Sequence, residues 1–321
     1  MNRLSKNYQD FIYLLACGLN SRKASAEREH QMDFKALLKI ATHQNLVNVA
    51  YEPIKEICED PDWLQAYEQG IRRSMLFDEE RKSIYKFMDG QKIWHAPLKG
   101  VVLQDMYPVY GMRQMADNDI LFDTNSEGTL QDFMTSRGYK LERGEVHDAY
   151  TKDPIYLFEM HKKIKLRNVS SAVNKHFGSL ESRLEAAGTS YLKNLNQVDF
   201  YTHTVCHFKN HLVRHYGGIK YLCDIYVFAK AMSAADLDKF NSLAKNLGID
   251  NDEATYRSLA NKLFNNEAKA TALTEPEFDV LNACIENGDQ GNFKNYIKSK
   301  IKQNIFHPIK MAKLIKPGLK T

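Results

Sequence analysis

With 321 residues, 43% of them hydrophobic and 11% aromatic, the chain has enough apolar material for a sizeable core, which excludes a disordered or low-complexity polymer. Single cores stop growing at about 250 to 300 residues, so two or three parts are expected. The net charge of +4 is unevenly placed: residues 293–321 carry eight lysines and no acid, and subtracting them leaves the remainder at −4.

That basic tail suits an anionic partner (nucleic acid, an acidic membrane surface or an anionic substrate) or else a terminal helix with solvated lysines, and no nucleic-acid motif accompanies it. Cys17, Cys58, Cys206, Cys223 and Cys284 are scattered without CxxC spacing, which points away from a disulfide framework or structural zinc and towards a reducing, cytoplasmic compartment. Near the N-terminus, Leu14-Leu15-Ala16-Cys17 imitates a lipoprotein cleavage box. Asp10, however, leaves only Phe11 to Ala16 as an apolar run, shorter than the roughly 7 residues a signal core needs, so an amphipathic helix is expected. No stretch approaches the ~20 apolar residues of a membrane span.

Residues 1–90 read as a helical N-terminal region. Phe34, Leu37, Leu38 and Ala41 recur at i, i+3, i+4 and i+7 behind Asp33, a natural N-cap. From 91 to 167 the texture changes to short β-rich runs punctuated by Gly, Pro, Asp and Asn: KIWHAPL, DILF, YKLER, DAYTK and IYLFEMHKKIKL. Between the second and third, SEGTLQDFMTSRG reads as a helix from Ser126 to Gly138. Residues 168–292 return to helices, with no proline between Pro154 and Pro276, capping boxes at Ser233/Asp236 and Thr274/Glu277, and stops at Gly248 and Gly288. The fold class is α+β: a small mixed sheet between helical regions, followed by the basic tail.

The chemistry concentrates in the central block. A buried strand feeds VVLQDMY through Lys99-Gly100, a turn whose free N–H groups and lysine suit a phosphate. Asp117 and Asp119 lead into DILF; in a strand, i and i+2 share a face, so the two carboxylates either converge on a divalent cation, Mg2+ or Mn2+, or mark a solvated strand start, and a third acid decides between these. Glu159 is the sole acid inside the apolar strand PIYLFEMH, a placement that requires a partner. A sheet setting the two strands side by side gives the three-carboxylate ligand set of phosphoryl and nucleotidyl transfer. His161 shares Glu159's face, either orienting the cluster or decorating the sheet surface. His203, His207, His211 and His215 repeat every fourth residue, a helical stripe that packs on the core or lines the cleft without the spacing of a zinc motif.

At this point the chain resembles the nucleotidyltransferase superfamily with the DNA polymerase β type palm, in particular a mostly uncharacterised bacterial branch. The resemblance rests on Leu98-Lys99-Gly100, Tyr107-Pro108, Arg113, Met115, Asp117, Asp119-Ile120-Leu121 and Glu159-Met160-His161, with LLKIATHQNLVNVAYEPI before and HLVRHYGGIKYLCDIYVF after. It implies that Asp117, Asp119 and Glu159 hold the catalytic metals, with Glu159 as a base. It further implies that Lys99, Gly100 and Arg113 address the triphosphate of an NTP, ATP first, while Lys220 and Asp224 border the cleft with His161, His211 and His215. Three departures stand out: Lys-Gly replaces the Gly-Ser of better-known members, Asn118 replaces an apolar residue, and Lys162 replaces an aromatic. The expected function is metal-dependent transfer of a nucleoside monophosphate to an unidentified acceptor. The alternatives are a binding or regulatory module that keeps the fold without turnover, such as a toxin–antitoxin component, and an interaction protein whose carboxylates are incidental.

Overall fold

The computed structural model describes residues 4–188, 190–265 and 272–289, so the basic tail at 293–321 lies outside the described residues. The architecture is α+β, with a five-stranded mixed sheet between helical N- and C-terminal regions. The strands are β1 (His95–Pro97), β2 (Asn118–Phe122), β3 (Lys140–Glu142), β4 (His147–Lys152) and β5 (Tyr156–His161), in spatial order β1-β2-β5-β4-β3. Only β2 and β5 run parallel, with Asp119 opposite Glu159; the other neighbours are antiparallel.

The period-2 alternation of these strands serves two faces. Ile120 and Phe122 of β2, with Phe158 and Met160 of β5, pack on Phe77, Ile84 and Met88 of the Pro61–Gly90 helix. That helix starts with Pro at its first position behind Asp60, whose carboxylate accepts from Asp62 N at 3.0 Å; its 30 residues span about 45 Å. The intervening side chains, Asp119, Leu121, Glu159 and His161, therefore look the other way, and Leu121 joins the larger core built with the C-terminal helices.

Local signals in the chain account for many boundaries. Asp33 caps Phe34–His43 through Ala36 N at 3.0 Å, Ser233 accepts from Asp236 N, and Thr274 with Glu277 forms a capping box. The imitation cleavage box lies in the Lys6–Leu19 helix, whose Phe11, Leu14 and Leu15 are buried and whose Asp10 pairs with Lys6 and Arg28. All five cysteines are free and buried. Among the described residues no helix is long and apolar enough to cross a membrane. Three expectations need revision. The run after Gly100 is only a four-residue helix, Gly100–Leu103, and a 3-10 turn; the last apolar strand stops at His161 rather than Leu166; and a two-stranded ribbon, Glu185–Ala186 with Lys193–Asn194, interrupts the helical second half.

A buried ion pair ties the sheet's front loop to the helical body. Arg113 donates through Nε and Nη2 to the two oxygens of Asp224 at 2.7 and 2.8 Å, and the Tyr107 hydroxyl donates to the same carboxylate at 2.7 Å. Removing one partner of a buried pair strands the other charge. Asp224→Asn is expected to lower unfolding stability by ~3 to 5 kcal/mol in urea titration, whereas joint replacement by Arg113→Met and Asp224→Leu costs less than Asp224→Asn alone.

Candidate active site

Asp119 sits second in β2, Asp117 in the loop just before it, and Glu159 directly across the parallel pairing. One carboxylate oxygen from each lies within 4.8 Å of the others. The approach to β2 is held from behind: Arg73 of the long helix donates to the carbonyls of Met115 and Ala116 at 2.9 and 3.0 Å. Asn118 is buried, and its Oδ1 accepts from Arg81 at 2.6 Å, which explains a polar residue where an apolar one is usual. Lys162 is likewise occupied, paired with Asp148 at 3.0 Å and Glu127 at 3.1 Å.

Three like charges at one point need compensation. Lys99, in a left-handed conformation (φ 50°) at the start of the short helix, places its Nζ 2.5 Å from Asp119 Oδ1 and 3.7 Å from Glu159 Oε2. His161 Nε2 lies 2.7 Å from Asp119 Oδ1 and 3.5 Å from Glu159 Oε2. Burial opposes the ammonium, but Asp119, Glu159 and Asp117 raise its pKa above the ordinary lysine value. Burial also works against ionised Asp119, yet Lys99 and His161 hold it well below the usual carboxylate range. Asp117 lacks comparable partners, so burial and the neighbouring Asp119 push its pKa up to about 6. For His161 burial opposes the charged ring, but the hydrogen bonds to Asp119 and Glu159 and the charge of Asp119 together raise its pKa above the ordinary histidine value. Gly100 keeps the wall thin: a Cβ there would come 3.0 Å from Cγ of Met115.

These groups line a cavity of about 500 Å³ whose opposite wall is the Gln197–Val213 helix, presenting His203, Thr204, His207, Asn210 and His211. Burial, reinforced by Lys99 for each, lowers the pKa of His203 and His211 to about 3 and that of His207 well below normal. Lys165, Arg167 and Arg214 add positive charge to the lining.

The cavity thus gathers Lys99, Gly100, Arg113, Asp117, Asp119, Glu159, His161, His211, Lys220 and Asp224. His215 is not among them; it follows the end of its helix in a left-handed turn (φ 60°). Arg113 faces the cavity with its strongest donors spent on Asp224 and a further one on the Gln114 carbonyl at 2.8 Å, and Lys220 is paired with Asp289 at 2.5 Å. His147 was missed, because the strand was expected to begin at Asp148. It opens β4 opposite His161, and continuing the period-2 count back one residue from Asp148 would have exposed it as a candidate.

A palm-like mixed sheet bearing two aspartates and a neighbouring-strand glutamate over a cleft describes a class of phosphate-transferring proteins. Residues 30–265 match the family described as uncharacterised nucleotidyltransferases, and the chain belongs to that family. No curated protein and no solved structure matches the chain. Membership supports transferase activity at the level of the family and implies a nucleoside triphosphate substrate.

Two outcomes follow from the electrostatics. Lys99→Met leaves the carboxylates without their ammonium, so the midpoint of thermal unfolding should fall by the equivalent of ~3 kcal/mol in metal-free buffer. Millimolar Mg2+ should raise it more in the variant than in wild type; equal shifts would contradict this assignment. For His203, the unfolded imidazole titrates near ~6.5 while the folded one stays neutral down to about 3. The unfolded chain alone binds the proton in that window, so this residue's contribution to stability is lost as pH falls from 6.5, by ~2 kcal/mol at pH 5. Asp117 acts in the opposite sense, since its raised pKa makes the folded state the better proton binder below about 6. Urea titrations of wild type and His203→Gln at pH 7 and 5 isolate the histidine: the variant should lose less stability than wild type on acidification.

Proposed function

We infer that the protein is a divalent-metal-dependent nucleotidyltransferase, acting in the cytoplasm, that moves a nucleoside monophosphate from an NTP, ATP first, to a hydroxyl or phosphate acceptor. The observation that carries this reading is the meeting of the Asp117, Asp119 and Glu159 carboxylates at one wall of the cleft. Their donors are all hard oxygens, the set that suits Mg2+ or Mn2+. Bound there, such an ion would supply charge stabilisation to the reacting phosphate oxygens.

The chain's own groups divide the remaining work. Lys99 balances the carboxylates now and is the ammonium available for a phosphate oxygen once they turn to a cation. Glu159 accepts the acceptor's proton as its oxygen bonds to the α-phosphorus and pyrophosphate leaves. Arg113 serves by fixing the loop ahead of Asp117 to Asp224 rather than by gripping phosphate, which departs from the expectation drawn from resemblance. The buried neutral histidines form an uncharged wall facing the acids. On this reading residues 91–167 are the catalytic core, with 1–90 and 168–292 as its helical supports.

One observation favours a silent binding module instead: the ammonium of Lys99 already fills the space beside Asp119. Incubation with Mg2+ and α-labelled NTPs, over a panel of sugar, protein and RNA acceptors, separates the two. The expected result is label transfer with pyrophosphate release that drops by more than ~100-fold in Asp119→Asn, since even residues that merely support metal ligands cost 10- to 100-fold. Nucleotide binding unaffected by Asp119→Asn, with no turnover on any acceptor, would establish the module.

A further inference from the structure

A second group of ligand-type side chains lies on the same face of the sheet. His147 and His161 stand directly opposite each other in the antiparallel β4–β5 register, and Glu159, two residues before His161, projects beside them. His147 Nε2 is 3.5 Å from Glu159 Oε1, and His161 Nε2 is 3.5 Å from Glu159 Oε2. Taking one ligand atom from each residue, all three lie within 4.8 Å of one another.

Those spacings match a specific demand. A tetrahedral ion with bonds of ~2.1 Å holds its ligands ~3.4 Å apart, the edge of the tetrahedron. Each histidine already stands about that far from a Glu159 oxygen, His147 from Oε1 and His161 from Oε2, so a small turn of the carboxylate brings one oxygen within reach of both. The imidazole ring centres are 4.9 Å apart, inclined at 48°, so a modest rotation of the half-exposed His147 closes the third edge. All three side chains line the cleft, which leaves the fourth corner open to water or a ligand oxygen.

We propose that His147, Glu159 and His161 form a second cation site, selective for a borderline transition ion with Zn2+ foremost, beside the oxygen-only group of Asp117, Asp119 and Glu159. Two imidazoles and one carboxylate with an open corner are a zinc donor set, whereas Mg2+ takes oxygen ligands. Binding exchanges the His161–Asp119 hydrogen bond of 2.7 Å for ligation of Nε2, and Lys99 remains to neutralise Asp119. The site needs no nucleotide and shares only Glu159 with the transfer chemistry, so it stands whether or not the protein proves to be an active transferase.

The test is a titration of the full metal-free chain with Co2+, followed by visible absorption and then by Zn2+ displacement. The expected result is one equivalent of Co2+ with the intense bands of tetrahedral coordination, displaced by Zn2+ and not by equimolar Mg2+. His147→Gln should weaken binding by at least ~10-fold, the lower end of what even outer-shell changes cost, while Asp117→Asn stays within ~3-fold of wild type. Because the His147 side chain is 37% exposed, the substitution is compatible with folding, and its unfolding transition checks this. The wild-type spectrum needs no variant. Absence of tetrahedral bands, wild-type affinity in His147→Gln, or an equal loss in Asp117→Asn would each overturn the proposal.

Discussion

The parallel pairing of β2 with β5 is the constraint on which the rest depends. It sets Asp119 opposite Glu159, and the same register sends Ile120, Phe122, Phe158 and Met160 into the core beneath. A slip of one residue would bury Glu159 against Phe77 and expose Phe158, so hydrophobic burial and the assembly of the acids are enforced together. The carboxylates are brought together against their own repulsion because several large apolar side chains on the reverse of the same strands gain more by burial than the acids lose.

That repulsion organises the surroundings. Lys99 and His161 compensate Asp119, while Asp117 is left with a raised pKa. The supports behind the site are arginines used as struts: Arg73 on the carbonyls before Asp117, Arg81 on Asn118, and Arg113 on Asp224. Arg73 and Arg81 tie the Pro61–Gly90 helix to the approach and first residue of β2, and Arg113 ties the loop ahead of Asp117 to the Ile219–Ala231 helix. The Gln197–Val213 helix closes the far side with histidines that burial keeps neutral, which concentrates the charge of the cleft on the sheet wall and at the basic lip.

Much of this was legible in the chain. A lone glutamate between Phe158 and Met160 pointed to a polar partner on the adjacent strand, and period-2 alternation gave its direction; Asp33, Ser233 and Thr274 marked helix starts through their own side-chain bonds. What escaped depends on contacts distant in sequence. The role of Arg113 follows from Asp224, 111 residues later, and no local pattern distinguishes an arginine awaiting phosphate from one already paired. Asn118 looked like a departure because Arg81, its partner, belongs to another element. His147 was lost to a boundary error of one residue, and the turn at Lys99 gave no hint that the lysine would fold back onto the acids. Of the histidine stripe, His203, His207 and His211 share one cleft-lining helix, whereas His215 falls beyond the helix end at Val213, in a left-handed turn that no four-residue spacing announces.

The central claim is that Asp117, Asp119 and Glu159 together bind a divalent cation, and the most direct measurement is anomalous diffraction from crystals of the full chain grown with Mn2+. The account predicts a manganese peak within coordinating distance of all three carboxylates, with the Lys99 ammonium withdrawn from Asp119. A peak elsewhere, or Lys99 still seated on Asp119 with no manganese at saturating concentration, would contradict it.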